Sequence, residues 1–390
     1  MKKVLIIGMV DSVHLARWLN QFKNSGINFT IFPSKKFKYV HPDLLNLVES
    51  STNFSLIQKN CLAFFGIKEL FFDSFLSKFF NKLEKGNRIY QLIAKSNFNL
   101  VHLFEIQGAG YLMQSVVHKL GNSKPKIILT NWGSDIYYFQ NQDNHLSKIK
   151  KVLEIADFYS AECVRDYDLA LKYNFRGQFL PCIPNAGGIK ISSIELNSLE
   201  SSRRKLIIVK GYEGEFGRAA QILPAIEEVL KIYSDLEIFF YSLSKVLIRS
   251  IKQLQLKYPN RIQYTTQNNP ISQEKLKDKF LKSKVYIGAS ISDGLSTSFL
   301  EAIAYGAYPI QTNTSCAIEM IQKGAKGSLV SINSSEITKT LLDVLSNGEL
   351  MELDRKNNKE FAKKNLSYDK IQEISQMFYS DNITQKDLFL

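Results

Sequence analysis

Short, unbroken apolar runs alternate with amphipathic stretches through most of this chain. Residues 3–7 read as a buried strand, and residues 12–24 as a helix carrying Leu15, Trp18, Leu19 and Phe22 on one face. Gly26 stops that helix, and residues 28–32 give the next strand. Further strands are expected at 100–104, 127–130 and 157–161. A second series follows the polar stretch 192–204, the best linker candidate. It has strands at 206–209, 236–241, 285–289 and 308–312 and helices at 219–233, 272–281 and 298–305. This βαβ rhythm implies an α/β protein with parallel, doubly wound sheets, in which ligands sit at the carboxyl ends of the strands.

At 390 residues the chain exceeds what one hydrophobic core usually holds. We expect one Rossmann-like domain over residues 1–195 and a second over 205–365. A terminal helix is expected within 366–390, where Ile371, Ile374 and Met377 recur at helical spacing. The balance of 50 Lys and Arg against 37 Asp and Glu leaves a formal charge of +13, which favours nucleic acid, anionic lipid or phosphorylated substrates. No zinc-finger, RRM or helix-turn-helix signature accompanies that charge, so nucleic acid is not an expected partner. Cys61, Cys163, Cys182 and Cys316 are scattered, form no CxxC pair, and read as reduced thiols rather than a disulfide frame or zinc site. The N-terminal apolar run is too short for a signal peptide, and no uncharged apolar run reaches 18 residues. A cytoplasmic location is expected.

The richest chemistry lies in Asp293-Gly294-Leu295-Ser296-Thr297-Ser298-Phe299-Leu300-Glu301. An acidic residue, a glycine and a hydroxyl cluster ahead of a helix make a polar cup, whose N–H groups and positive dipole end can hold a phosphate. Glu301, two turns further on, can accept hydrogen bonds from neutral hydroxyls such as a ribose diol. The arrangement resembles the carboxylate-pair motif of GT-B glycosyltransferases of the large retaining family 4, whose usual first residue is Glu; here Asp293 is one methylene shorter. The flanks agree as well: Leu300-Glu301-Ala302, the turn from Gly306 to Pro309, then Glu319, Gly324 and Gly327. The resemblance covers nearly the whole chain. It implies the GT-B architecture, with the active site in an interdomain cleft and the last helix crossing back to the first domain.

In that family, a Ser-x-His-x-x-Arg-Trp pattern opens the first helix, and Ser12, His14, Arg17 and Trp18 match it. Ser12 and His14 are therefore acceptor-site candidates, although His14 is equally readable as a packing residue beside the cap. Related enzymes carry a histidine near the end of the strand expected at 100–104. Here Phe104 takes that slot, with His102 two residues earlier on the same strand face. Glu105 and Asp135 are the expected polar wall, Glu105 with a catalytic role and Asp135 toward the acceptor; a helix N-cap is the alternative for Asp135. Phosphate recognition is expected from Lys210, Gly211 and Arg218, in a glycine-rich loop whose Lys210-Gly211-Tyr212 and Gly217-Arg218-Ala219 look like a subgroup of polysaccharide-assembly transferases. Either cation is alternatively a solvated loop charge. Asp166-Tyr167-Asp168 spells the DxD that other transferases use for a metal, but on a helix residues two apart do not share a face, so solvated charge is expected.

The resemblance implies a retaining hexosyl transfer from a UDP- or GDP-linked nucleotide sugar to a hydroxyl of a glycan or polyprenyl-linked acceptor. A bacterial surface-polysaccharide pathway is the natural setting, and neither metal nor cofactor is expected. Lys210, Arg218 and the N–H groups around Gly294, Ser296, Thr297 and Ser298 would stabilise the departing diphosphate, Asp293 would hold sugar hydroxyls, and Glu301 the ribose. The basic, phenylalanine-rich segment 62–88 has two readings, docking on an anionic membrane face or forming core beneath a solvated lysine face. A sugar-nucleotide epimerase of the same fold and a catalytically silent binding subunit remain as alternatives.

Overall fold

The computed structural model describes residues 2–57, 75–191 and 201–380. Thirteen parallel strands among them form two sheets. The first contains β1 (Lys3–Gly8), β2 (Asn28–Pro33), β3 (Phe54–Leu56), β4 (Leu100–Phe104), β5 (Lys126–Thr130), β6 (Phe158–Ser160) and β7 (Gln178–Phe179), in the order β3-β2-β1-β4-β5-β6-β7. The second contains β8 (Leu206–Lys210), β9 (Glu237–Leu243), β10 (Ile262–Thr266), β11 (Ser283–Gly288), β12 (Tyr308–Thr312) and β13 (Ser328–Val330), in the order β10-β9-β8-β11-β12-β13. Both are doubly wound. The direction of strand addition reverses beside β1 in one sheet and beside β8 in the other, which places a ligand crevice at β1/β4 and at β8/β11.

Continuous apolar runs make these strands because helices cover both faces. Val4, Leu5, Ile6 and Ile7 are all fully buried. In the second sheet alternate residues serve opposite cores: Ile207, Val209, Ile238 and Phe240 enter one, while Ile208, Phe239, Tyr241 and Tyr286 enter the other.

Two expected helices are shorter in the structure. The first runs over Val13–Asn20, and residues 21–25 turn tightly, with Gln21 N donating to Trp18 O and Ser25 N to Phe22 O. Asn24, Ser25 and Gly26 are weak helix formers, so the chain leaves the helix early while Phe22 stays buried. The other begins as a single tight turn, Ala219–Ile222, and becomes α-helical over Leu223–Ile232. Pro224 lacks an N–H and is tolerated only in a first turn, so it sets that start.

The chain divides into one unit of Met1–Gly187 with Gln372–Leu390, and another of Gly188–Ile371. The helix Tyr368–Met377 begins in the second unit, where Tyr368 N donates to Ile189 O at 2.9 Å. Beyond it Phe378 and Tyr379 are buried in the first, where Trp18 Nε1 donates to the Tyr379 hydroxyl at 3.0 Å. His102 Nδ1 lies 2.8 Å from the same oxygen, and its Nε2 lies 2.7 Å from Thr130 Oγ1. Burial holds His102 well below the usual imidazole range, so it is neutral. Trp18 can only donate. With Tyr379 O–H donating to Nδ1, the neutral ring carries its proton on Nε2, which donates to Thr130 Oγ1.

Residues 192–200 of the expected linker, residues 62–74 of the basic aromatic segment, and Cys61 lie outside the described residues. The rest of that segment opens the helix Phe75–Lys95. Cys163, Cys182 and Cys316 are buried, Cys182 as a free thiol. Among the described residues no helix is long and apolar enough to cross a membrane.

Candidate active site

In the second unit, β8 ends in Lys210 at the β8/β11 crevice, and the loop after β11 brings Asp293 to it. The two form an ion pair, Nζ to Oδ2 3.6 Å, with both side chains partly open to solvent. The ammonium also lies 5.0 Å over the Tyr212 ring. Burial alone would pull the Lys210 ammonium down. Asp293, with Tyr286 and Tyr212, outweighs it and holds the group above the usual lysine range, so it is charged.

The loop from Gly211 to Arg218 is shaped by its own backbone. A Cβ on Gly217 would sit 2.3 Å from Tyr212 O, so only glycine closes this turn. Arg218 N donates to Ala289 O and Ile291 N to Phe216 O, which ties the loop after β8 to the loop after β11. The Arg218 guanidinium turns inward and donates to the carbonyls of Gly214 and Gly217. In this structure it braces the loop. Gly211 N and O continue the sheet register with Tyr241 O and Ser244 N.

After β11, Gly294 is buried and its carbonyl accepts from Cys316 N at 3.0 Å. The helix Thr297–Tyr305 follows, with Ser296 at its N-cap position but no side-chain capping bond. Its first intrahelical bond runs from Leu300 N to Ser296 O, so the N–H groups of Thr297, Ser298 and Phe299 precede the ladder. Ser298 Oγ accepts from the Tyr241 hydroxyl at 2.6 Å. Glu301, one turn on, is buried. At the far end Gly306 takes φ 78°, and the buried Arg204 guanidinium donates to the carbonyls of Tyr305, Gly306 and Ser283. The helix is therefore clamped at its negative end and open at its positive one.

In the first unit the β1/β4 crevice carries Ser12, His14, Glu105 and Asp135. Ser12 Oγ caps the helix Val13–Asn20 by accepting from His14 N at 3.2 Å, and the His14 ring lies 5.5 Å from Trp132. Glu105 adopts φ 81°, a strained backbone for a non-glycine residue. Its carboxylate accepts from Gly108 N at 2.6 Å and Ala109 N at 2.9 Å, closing a π-helical turn. Asp135 does not cap a helix. Its Oδ2 accepts from Trp132 N and Ile106 N, both at 3.0 Å, and so pins the loops after β4 and β5 together. Burial, then the neighbouring Glu105, raises the Asp135 carboxyl well above the usual range.

The DxD pair splits as its spacing implies, but only Asp168 is exposed. Asp166 is fully buried, accepts from Asn131 Nδ2 at 2.7 Å and pairs with Arg165 at 2.8 Å. Solvated charge is therefore corrected for Asp166, because a buried carboxylate needs partners. Tyr241, Tyr286 and Arg204 went unnoticed as side chains in the sequence. Tyrosines on apolar strands look like core, and one arginine in a polar linker has no pattern to distinguish it.

Residues 3–165 match the family described as "Glycosyl transferase 4-like", and residues 245–364 match "Glycosyl transferases group 1". No curated protein matches the chain. Among solved structures, sucrose-phosphate synthase from Thermosynechococcus elongatus is 13% identical with a TM-score of 0.70, covering 97% of this chain and 98% of its own. Anabaena Alr3699/HepE in complex with UDP-glucose is 10% identical with a TM-score of 0.67, covering 97% and 99%. A putative UDP-N-acetylglucosamine 2-epimerase from Listeria monocytogenes is 14% identical with a TM-score of 0.63, covering 97% and 95%. At such identities the likeness is one of fold, while the two family matches span most of the chain. The chain belongs to the family 4-like, group 1 glycosyltransferases and is a glycosyltransferase of GT-B fold.

Proposed function

We propose that this enzyme moves a sugar, with retention, from a UDP- or GDP-linked donor to a hydroxyl of a glycan or polyprenyl-linked acceptor in surface-polysaccharide assembly. The observation that carries the reading is the Lys210–Asp293 pair at the β8/β11 crevice, beside the open N-terminus of the helix bearing Glu301. Lys210 and the N–H groups of Thr297 and Ser298 neutralise the diphosphate, and Glu301 accepts from the ribose hydroxyls. Asp293 accepts from sugar hydroxyls. The bond from the anomeric carbon to the distal phosphate oxygen breaks, the acceptor oxygen bonds that carbon on the same face, and its proton passes to the departing phosphate. Glycine-rich backbone at Gly211 and Gly294 lets the diphosphate approach, Arg218 holds the loop, and Ser12, His14, Glu105 and Asp135 shape the acceptor side. HepE with UDP-glucose supports a nucleotide-sugar donor, and the basic net charge fits an anionic one.

Thermal shift with a panel of nucleotides tests this. UDP- or GDP-sugars are expected to raise the melting temperature, while ATP and NAD do not. A ligand at a hundred times its Kd stabilises by about 2.7 kcal/mol. Glu301→Ala should remove the shift, and excess chelator should leave transfer unchanged. An unchanged shift in Glu301→Ala overturns the ribose contact. The epimerase neighbour favours one competing outcome, C2 inversion of the donor without an acceptor, which product analysis separates from transfer.

A further inference from the structure

We propose that Tyr241 is a positioning residue, which turns the Ser298 hydroxyl into a dedicated donor for an oxygen of the nucleotide's diphosphate. The inference rests on the phosphate reading of the helix Thr297–Tyr305 and assigns a new role within it. A serine hydroxyl has one proton and two acceptor lone pairs. Tyr241, at the carboxyl end of β9, is buried and donates to Ser298 Oγ at 2.6 Å. That bond occupies a lone pair and directs the serine proton elsewhere. Among the described residues the Ser298 oxygen makes no other hydrogen bond, so its proton is available at a helix end whose N–H groups are also available. A second hydroxyl of the same turn, Ser296 Oγ, is buried beside the Tyr286 phenol yet makes no hydrogen bond of good geometry. A buried hydroxyl without a partner is uncommon, and Ser296 Oγ together with the undonated Ser298 proton at one helix N-terminus points to an acceptor that takes several donors.

Donation from Tyr241 also polarises the serine O–H, because hydrogen bonds in a chain strengthen one another. Ser298 without Tyr241 could rotate and offer a lone pair to the anion. Tyr241 thus selects the rotamer and leaves the contact itself to Ser298.

A double-mutant cycle read by calorimetric titration tests the relay, using UDP or GDP, whichever gives the larger thermal shift with the unaltered protein. Ser298→Ala is expected to weaken binding about tenfold, as for loss of one hydrogen bond to a charged group. Tyr241→Phe should weaken it about three- to fivefold. The double variant should match Ser298→Ala within a factor of two, and Ser298→Thr should restore the dependence on Tyr241. Full multiplication of the two losses in the double variant overturns the relay and reduces Tyr241 to packing. Unchanged affinity in Ser298→Ala, alongside loss in Lys210→Met, overturns the relay and spares the donor-site reading. Failure of every nucleotide to bind the unaltered protein overturns both.

Discussion

Tyr379→Phe removes one oxygen from the sealed interior of the first unit. That oxygen accepts from Trp18 Nε1 at 3.0 Å and bonds His102 Nδ1 at 2.8 Å, and all three side chains are buried. The Tyr379 ring packs on His102 and Phe22, and Trp18 meets His102 edge to face. Two buried polar groups lose a partner. At about 1–2 kcal/mol each, a loss of about 2–4 kcal/mol follows. Both tryptophans of the chain, Trp18 and Trp132, lie in the first unit, so fluorescence during urea unfolding reports that unit selectively. With a slope of about 2 kcal/mol per molar urea, the midpoint should fall by about 1–2 M. Tyr39→Phe, at an exposed position, should change stability by less than about 0.5 kcal/mol. A loss below about 0.5 kcal/mol for Tyr379→Phe refutes the claim that this hydroxyl ties the returning chain to β4.

Two further outcomes follow from buried charges. Arg204, Arg355 and Lys359 crowd around Gly306, and burial, then the two arginines, lowers the Lys359 ammonium to about 8. Between about pH 8 and the unfolded-state value near 10.4 the unfolded chain holds a proton that the folded chain has released, so stability rises with pH across that window. Melting temperature should climb from pH 7.5 to 9.5, and Lys359→Met should flatten that slope, by of order 1 kcal/mol after allowance for screening. Asp168→Asn should leave melting and transfer unchanged, whereas Asp166→Ala, which removes the acceptor of Asn131 Nδ2 and the ion-pair partner of Arg165, should cost about 2–3 kcal/mol in urea unfolding.

The alternation of elements was legible because parallel strands buried on both faces carry unbroken Val, Ile, Leu and Phe. Positions 100–104 and 308–312 coincide with β4 and β12. Helix lengths were less legible where a single residue governs them, as with Pro224. The motif from Asp293 to Glu301 was readable because it is contiguous, and its partner Lys210 because a cation closes the preceding strand. Contacts made across the fold left no local trace. Tyr241 lies 57 residues from Ser298, and nothing in the intervening sequence marks their hydrogen bond. Arg218 illustrates the converse, since its glycine-rich loop suits a phosphate ligand while its guanidinium donates to carbonyls of that loop.

Calorimetric titration of the same nucleoside diphosphate into Lys210→Met and Asp293→Asn tests the centre of this account most directly. Lys210→Met should bind at least tenfold more weakly, because a charge-assisted phosphate contact is lost. Asp293→Asn should bind at least as tightly as the unaltered protein, because the carboxylate that now holds Lys210 is neutralised, while transfer falls steeply. Wild-type affinity in Lys210→Met would contradict the assignment of this crevice to the diphosphate.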